Sequence, residues 1–189
     1  TGWRAAGFGD GAWASGPGQL GYGDGDESTT VGFIDTNPGL AGEPKNITTY
    51  FRHSFTIPAG QTATFTNVDI TLLRDDGAVV YLNGTEIIRT DEMPGTLGDN
   101  TIAYNTPAST TSSENEVDTY TLTPGQLALL HDGVSVLAVW SHQQSETSSD
   151  ISFDLSLTAT GASNGTGGTS VSGTLPAGVT TWTAANGPY

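Results

Sequence analysis

Arg74-Asp-Asp-Gly-Ala-Val-Val-Tyr-Leu-Asn-Gly84 runs directly into Thr85-Glu-Ile-Ile-Arg89. Two β-branched, apolar runs flank Asn83-Gly84, the pair that most readily gives both central residues of a tight turn a positive φ. The stretch therefore reads as a β-hairpin. Strand-like runs continue on both sides of it. Ile47-Thr-Thr-Tyr-Phe-Arg-His-Ser-Phe-Thr-Ile57 is a strand, and Ala63–Leu73 carries Phe65, Val68, Ile70 and Leu72 at strand spacing. Glu116–Leu122, Val134–Ser141 and Asp150–Thr158 complete the set. Helical periodicity is nearly absent; Thr123-Pro-Gly-Gln reads as one capped helical turn. About seven or eight evenly spaced strands make an all-β protein, a β-sandwich of jelly-roll kind.

The 189 residues are 35% hydrophobic and include 26 glycines, which suits a turn-rich sandwich and argues against a helical bundle. Five basic residues face 20 acidic ones, a net charge of −15. Phosphate recognition needs clustered Lys and Arg, so nucleic acid and anionic membrane are poor partners, and divalent cations are the natural ones. The chain has no cysteine. That excludes thiolate metal sites, cysteine catalysis and disulfides, and it fits an exported bacterial protein. No run approaches the ~20 apolar residues of a membrane span. The expected location is extracellular, secreted or at a cell surface, with any leader already removed.

Composition divides the chain into a sandwich over residues 1–160, a Gly/Ser/Thr linker over 161–170 and a C-terminal segment over 171–189 that can form a strand.

Two acidic loops stand out. Asp24, Asp26 and Glu27 lie in the glycine-spaced turn Gly21–Glu27, where the backbone can curl and bring hard oxygen donors together. With Asp150 and Asp154 from the last core strand they form a candidate structural calcium site; the alternative is an acidic, solvated turn. Asp75 and Asp76 are adjacent carboxylates before a strand, a second candidate cation site or an ordinary turn paired with Arg74 or Arg52. Trp140 and His142 close a buried-looking strand. The indole is either a platform for the C–H face of a sugar or core packing, and the isolated histidine argues against zinc. With no nucleophile–base pair and no phosphate loop, the chain reads as noncatalytic. Asn46, Asn83 and Asn164 head glycosylation sequons, although Asn83 also serves the hairpin.

Trp3-Arg4, Gly7-Phe-Gly-Asp10, Trp13, Gly16-Pro17, Leu20-Gly-Tyr-Gly-Asp24, Thr49-Tyr-Phe-Arg52, Phe55 and Arg74–Gly84 together resemble the galactose-binding-like jelly-roll modules of secreted bacterial proteins. The likeness spans roughly Trp3 to Thr160. It implies a noncatalytic, calcium-stabilised carbohydrate-binding or adhesion module, with polysaccharide at Asp75, Asp76, Trp140 and His142. Asp75-Asp76-Gly77 also resembles the aspartate pair with which PA14-type lectins hold calcium. In such modules a further strand precedes the Trp-Arg motif, whereas this sequence starts at Thr1. Gly173–Tyr189 resembles the lead-in to a parallel β-helix. An absent first strand and a spare last one give the alternative expectation: a filament or surface-layer subunit whose strand 171–183 enters the sheet of a neighbouring copy.

Overall fold

The computed structural model describes residues 2–34, 44–99, 102–109, 115–162, 170–174 and 181–186. Two antiparallel sheets face each other across an apolar core. The strands are β1 (Ala14–Pro17), β2 (Leu20–Tyr22), β3 (Thr29–Thr30), β4 (Thr48–Ile57), β5 (Phe65–Asp75), β6 (Gly77–Leu82), β7 (Thr85–Arg89), β8 (Glu116–Thr121), β9 (Gly133–His142), β10 (Ile151–Ala162), β11 (Ser170–Thr174) and β12 (Thr181–Asn186). The first sheet runs β1-β12-β4-β9-β6-β7; the second runs β3-β2-β10-β5-β8, with β11 also on β10. Among the described residues, only the short β2–β3 pair is parallel. The all-β sandwich expected from the sequence is what folds.

The burial pattern explains the sequence pattern. β5 alternates because its outer face meets solvent. β6 is buried at every position. Its Ala78, Val80 and Leu82 enter the core between the sheets, while Val79 and Tyr81 enter a second apolar layer outside the first sheet. Leu137 and Val139 of β9 point one way, and Val136, Ala138 and Trp140 the other. Trp3, Phe8 and Trp13 from the N-terminal segment cover that outer layer, with Met93, Ile102 and Ala108 from the segment after β7. Phe51 stacks on Phe153 at 4.1 Å and joins the two sheets through the central core.

Asn83 and Gly84 have φ of 51° and 87°, the geometry that the hairpin between β6 and β7 requires. Asn83 further accepts from the Val136 amide and donates to the Leu129 carbonyl, so its side chain serves the fold. Thr123 caps the short helix α1 (Pro124–Leu127) through a reciprocal bond with Gln126.

The C-terminal expectations need correcting. Gly161 and Ala162, assigned to a linker, extend β10, and β11 folds back on them. β12 then enters the first sheet of its own chain. It pairs Thr183–Asn186 with Arg52–Thr49 of β4 and Thr181–Ala184 with Pro17–Ala14 of β1. The strand thought to be spare fills a position in its own sandwich, and no neighbouring copy is needed to pair it. Residues 175–180 lie outside the described residues.

Candidate functional site

The turn Gly21–Glu27 lies against the start of β10, where Tyr22 pairs with Ile151 and Gly21 with Ser152. Gly23 has φ 111°, and a Cβ on it would stand 2.5 Å from that of Asp150, so only glycine fits. Asp24 Oδ2 accepts from Asn115 Nδ2 at 3.0 Å and from Ser152 Oγ at 3.2 Å. Asp26 accepts from Gln19 at 3.3 Å. Glu27 folds back on its own turn and accepts from the Asp24 and Gly25 amides at 3.1 and 3.0 Å. Asp150 is buried and accepts from the Ser149 hydroxyl. The early loop and the last core strand thus meet, and direct hydrogen bonds join them. Asp154 lies further along β10, against Gly18, and burial raises its carboxyl above the usual range. Among the described residues, no three Asp, Glu or His side chains converge on a position that could hold a metal ion.

Asp75 and Asp76 are both buried. Asp76 Oδ2 accepts from the Gln144 amide at 2.8 Å, and its carbonyl accepts from Arg74 Nη1 at 2.6 Å. These contacts hold the β5–β6 corner to the loop after β9. Trp140 is 6% exposed. Trp3 stacks on it at 5.8 Å and the Arg4 guanidinium sits 4.7 Å from its ring, so the indole offers no open face. His142 is fully buried. Its Nδ1 donates to the Thr106 carbonyl at 2.8 Å, which makes Nε2 an acceptor; among the described residues Nε2 has no hydrogen-bond partner. Burial pushes this imidazole down to about 4, against the Thr106 carbonyl, which favours the charged form. Trp140 and His142 therefore pack beneath the segments that cover the first sheet, away from the surface.

What does reach the surface at this end was not singled out by the sequence. Four segments, 31–34, 44–47, 103–108 and 143–149, are stitched together. The Ile34 amide donates to Asn46 Oδ1 at 3.0 Å, and Asn46 Nδ2 donates to the Thr48 carbonyl at 2.6 Å. Thr48 Oγ1 donates to the Tyr104 carbonyl. Gln143 accepts from the Ala108 amide at 3.0 Å and donates its own to Ile47 at 2.8 Å, while Lys45 donates its amide to Glu146 at 2.7 Å. On this hydrogen-bonded layer Tyr104 is 51% exposed, Ile34 50% and Phe33 37%. The sequence carried only a faint signal for them, apolar residues in turn-rich stretches without strand periodicity.

All five basic residues are turned inward. Arg4 lies over Tyr81 at 4.0 Å, and Arg52 pairs with Asp10 at 3.0 Å. Arg74 pairs with Glu92, Glu116 and Asp118 at 3.0, 2.9 and 3.1 Å. Arg89 pairs with Glu86 and Asp99 at 2.8 and 2.9 Å. Lys45 donates to the Ser148 carbonyl at 2.9 Å beneath the Phe33 and Tyr22 rings. The surface charge is thus almost wholly negative.

No family model and no curated protein matches the chain. Among solved structures, similarity extends to the Streptomyces avermitilis α-L-rhamnosidase complexed with L-rhamnose, at 17% identity and TM-score 0.46, over 76% of this chain and 11% of that one. It extends also to the α-L-rhamnosidase of Dictyoglumus thermophilum, at 12% identity and TM-score 0.40, over 77% and 14% of the respective chains. This chain therefore spans only about a ninth of the length of the first enzyme and a seventh of the second. At these scores neither likeness bears on function.

Proposed function

We propose that the chain is a noncatalytic, extracellular carbohydrate-binding or adhesion module that presents its ligand surface at the sandwich end where segments 31–34, 44–47, 103–108 and 143–149 meet. One observation carries this reading. That end combines exposed Tyr104 and Phe33 with hydroxyl, amide and carboxylate side chains on a hydrogen-bonded layer, and all five cations of the chain are engaged inside. Sugars offer C–H faces to rings and hydroxyls to neutral or anionic acceptors, so the chemistry matches. A glycan array probed with the protein in calcium-containing buffer tests the proposal: selective binding to a set of glycans is expected, and a blank array contradicts it.

The calcium part of the proposal rests on charge, −15 over the chain. The carboxylates of the Gly21–Glu27 clasp are already engaged by amide and hydroxyl donors, so a bound ion would add to a clasp that closes by itself. A ligand held only by the folded state raises Tm by mass action. A lower Tm in chelator supports bound calcium; an unchanged Tm removes calcium from the account and leaves the hydrogen bonds as the clasp.

A further inference from the structure

We infer that Tyr104 and Phe33 are the two contact rings of the ligand surface and that the ligand they take is a neutral polysaccharide; the inference rests on the carbohydrate reading above and adds the residues and the charge class.

The rings belong to segments far apart in sequence, yet three consecutive hydrogen bonds connect their backbones. These run from the Ile34 amide to Asn46, from Asn46 to the Thr48 carbonyl and from the Thr48 hydroxyl to the Tyr104 carbonyl. Phe33 is braced from behind by the Tyr22 ring at 5.2 Å and by the Lys45 ammonium at 5.1 Å. Tyr22 is buried, and burial pushes its hydroxyl up to about 12, so it stays neutral beneath the patch. A braced ring loses little freedom when a ligand packs on it, which is what a contact platform requires. The exposed large apolar side chains of the other surfaces differ. Val117 on β8 and Val134 on β9 are single aliphatic groups on strands, and Leu97 lies in the segment after β7. Isolated exposed apolar groups of that sort are ordinary.

Charge decides the ligand class. Lys45 is the cation nearest Phe33, and it is buried under the Phe33 and Tyr22 rings and bonded to the Ser148 carbonyl. The exposed neighbours in these segments include Asn105, Thr147 and Ser149 beside the apolar Ala103 and Pro107, and the one charged residue among them, Glu146, is acidic. Uronate, sulfate and phosphate groups would meet like charge with no exposed cation to pair with. The hydroxyls and ring C–H faces of a neutral sugar meet amide, carboxylate and aromatic groups, each with a complementary contact.

The test is affinity electrophoresis of the full chain through gels containing neutral polysaccharides (a xylan, a galactan, a mannan and a mixed-linkage glucan) or polyanionic ones (polygalacturonate, alginate and heparin). Wild type, Tyr104→Ala, Phe33→Ala and Val117→Ala run side by side, with thermal melts confirming that each is folded. The inference expects retardation of wild type and Val117→Ala in at least one neutral gel. Each ring variant should lose at least about tenfold in affinity at unchanged Tm, as truncating a contact aromatic does. Wild-type retardation that both ring variants retain overturns the site while the carbohydrate reading stands. Preferential retardation in a polyanionic gel overturns the charge class. Free migration of wild type in every gel overturns the carbohydrate reading and the inference with it.

Discussion

Arg4 and His142 show what single side chains do beneath the first sheet. The Arg4 guanidinium lies over the Tyr81 and Trp140 rings at 4.0 and 4.7 Å, a cation–π contact in a desolvated place. Arg4→Ala should cost about 1–2 kcal/mol by urea unfolding, and Arg4→Lys should recover only part of that, because an ammonium lacks the flat face. A Lys variant as stable as wild type would show that charge alone matters. His142 is neutral when folded, with its pKa near 4 against 6.5 in the open chain. Below pH 6.5 the unfolded chain takes up a proton that the folded one refuses. Stability attributable to this residue therefore falls from pH 6.5 down to 4 and levels off below, by roughly 3 kcal/mol in total. His142→Gln should flatten that part of the pH–Tm curve, and parallel curves for variant and wild type would contradict the assignment. Neither residue's surroundings were legible in the sequence. Trp140 next to His142 is compatible with a platform or with core, and what decides it is Trp3, a residue 137 positions away that lies on its face.

At the scale of elements, legibility follows the range of the contacts. The β6–β7 hairpin is local, fixed by Asn83-Gly84 and its flanking β-branched residues, and it forms as read. The pairing of β12 is not local. Its strand character shows in the sequence, but its slot between β1 and β4 depends on where the chain crosses from one sheet to the other. Among the described residues, β1 has β12 as its only ladder partner, and β4 has it along one edge. Removing residues 170–189 takes away β11 as well as β12 and should therefore expose edges of β1, β4 and β10, lower Tm sharply and promote aggregation. Truncated protein that remains soluble and as stable as the full chain would restore the idea of a spare strand. Arg74 is the other connection between elements. Itself buried, it joins β5 to the buried Glu92 and to the partly exposed Glu116 and Asp118 of β8. Arg74→Met leaves those acids without their cation and should cost about 3–5 kcal/mol in chemical denaturation; a loss below about 1 kcal/mol would mean that the network contributes as little as a surface ion pair.

For the whole molecule, the arrangement of charge matters more than its total. The −15 was plain from composition, but that all five cations lie inside was not, because inward orientation is set by the fold. The remaining acids repel one another across the surface, whereas the internal pairs are poorly screened. Raising NaCl from about 10 to about 150 mM should raise Tm, since the Debye length falls to about 8 Å. A fall in Tm would mean that exposed ion pairs dominate. Carboxylates of both acidic loops accept from amide and hydroxyl donors, and the large exposed rings lie on segments that the sequence did not mark. The central claim is that this end of the sandwich holds carbohydrate, and calorimetric titration of the full chain with the best oligosaccharide from the array measures it directly. Saturable heat at one site, abolished in Tyr104→Ala, is expected. An identical isotherm for Tyr104→Ala, or no saturable heat for wild type at millimolar ligand, would contradict it.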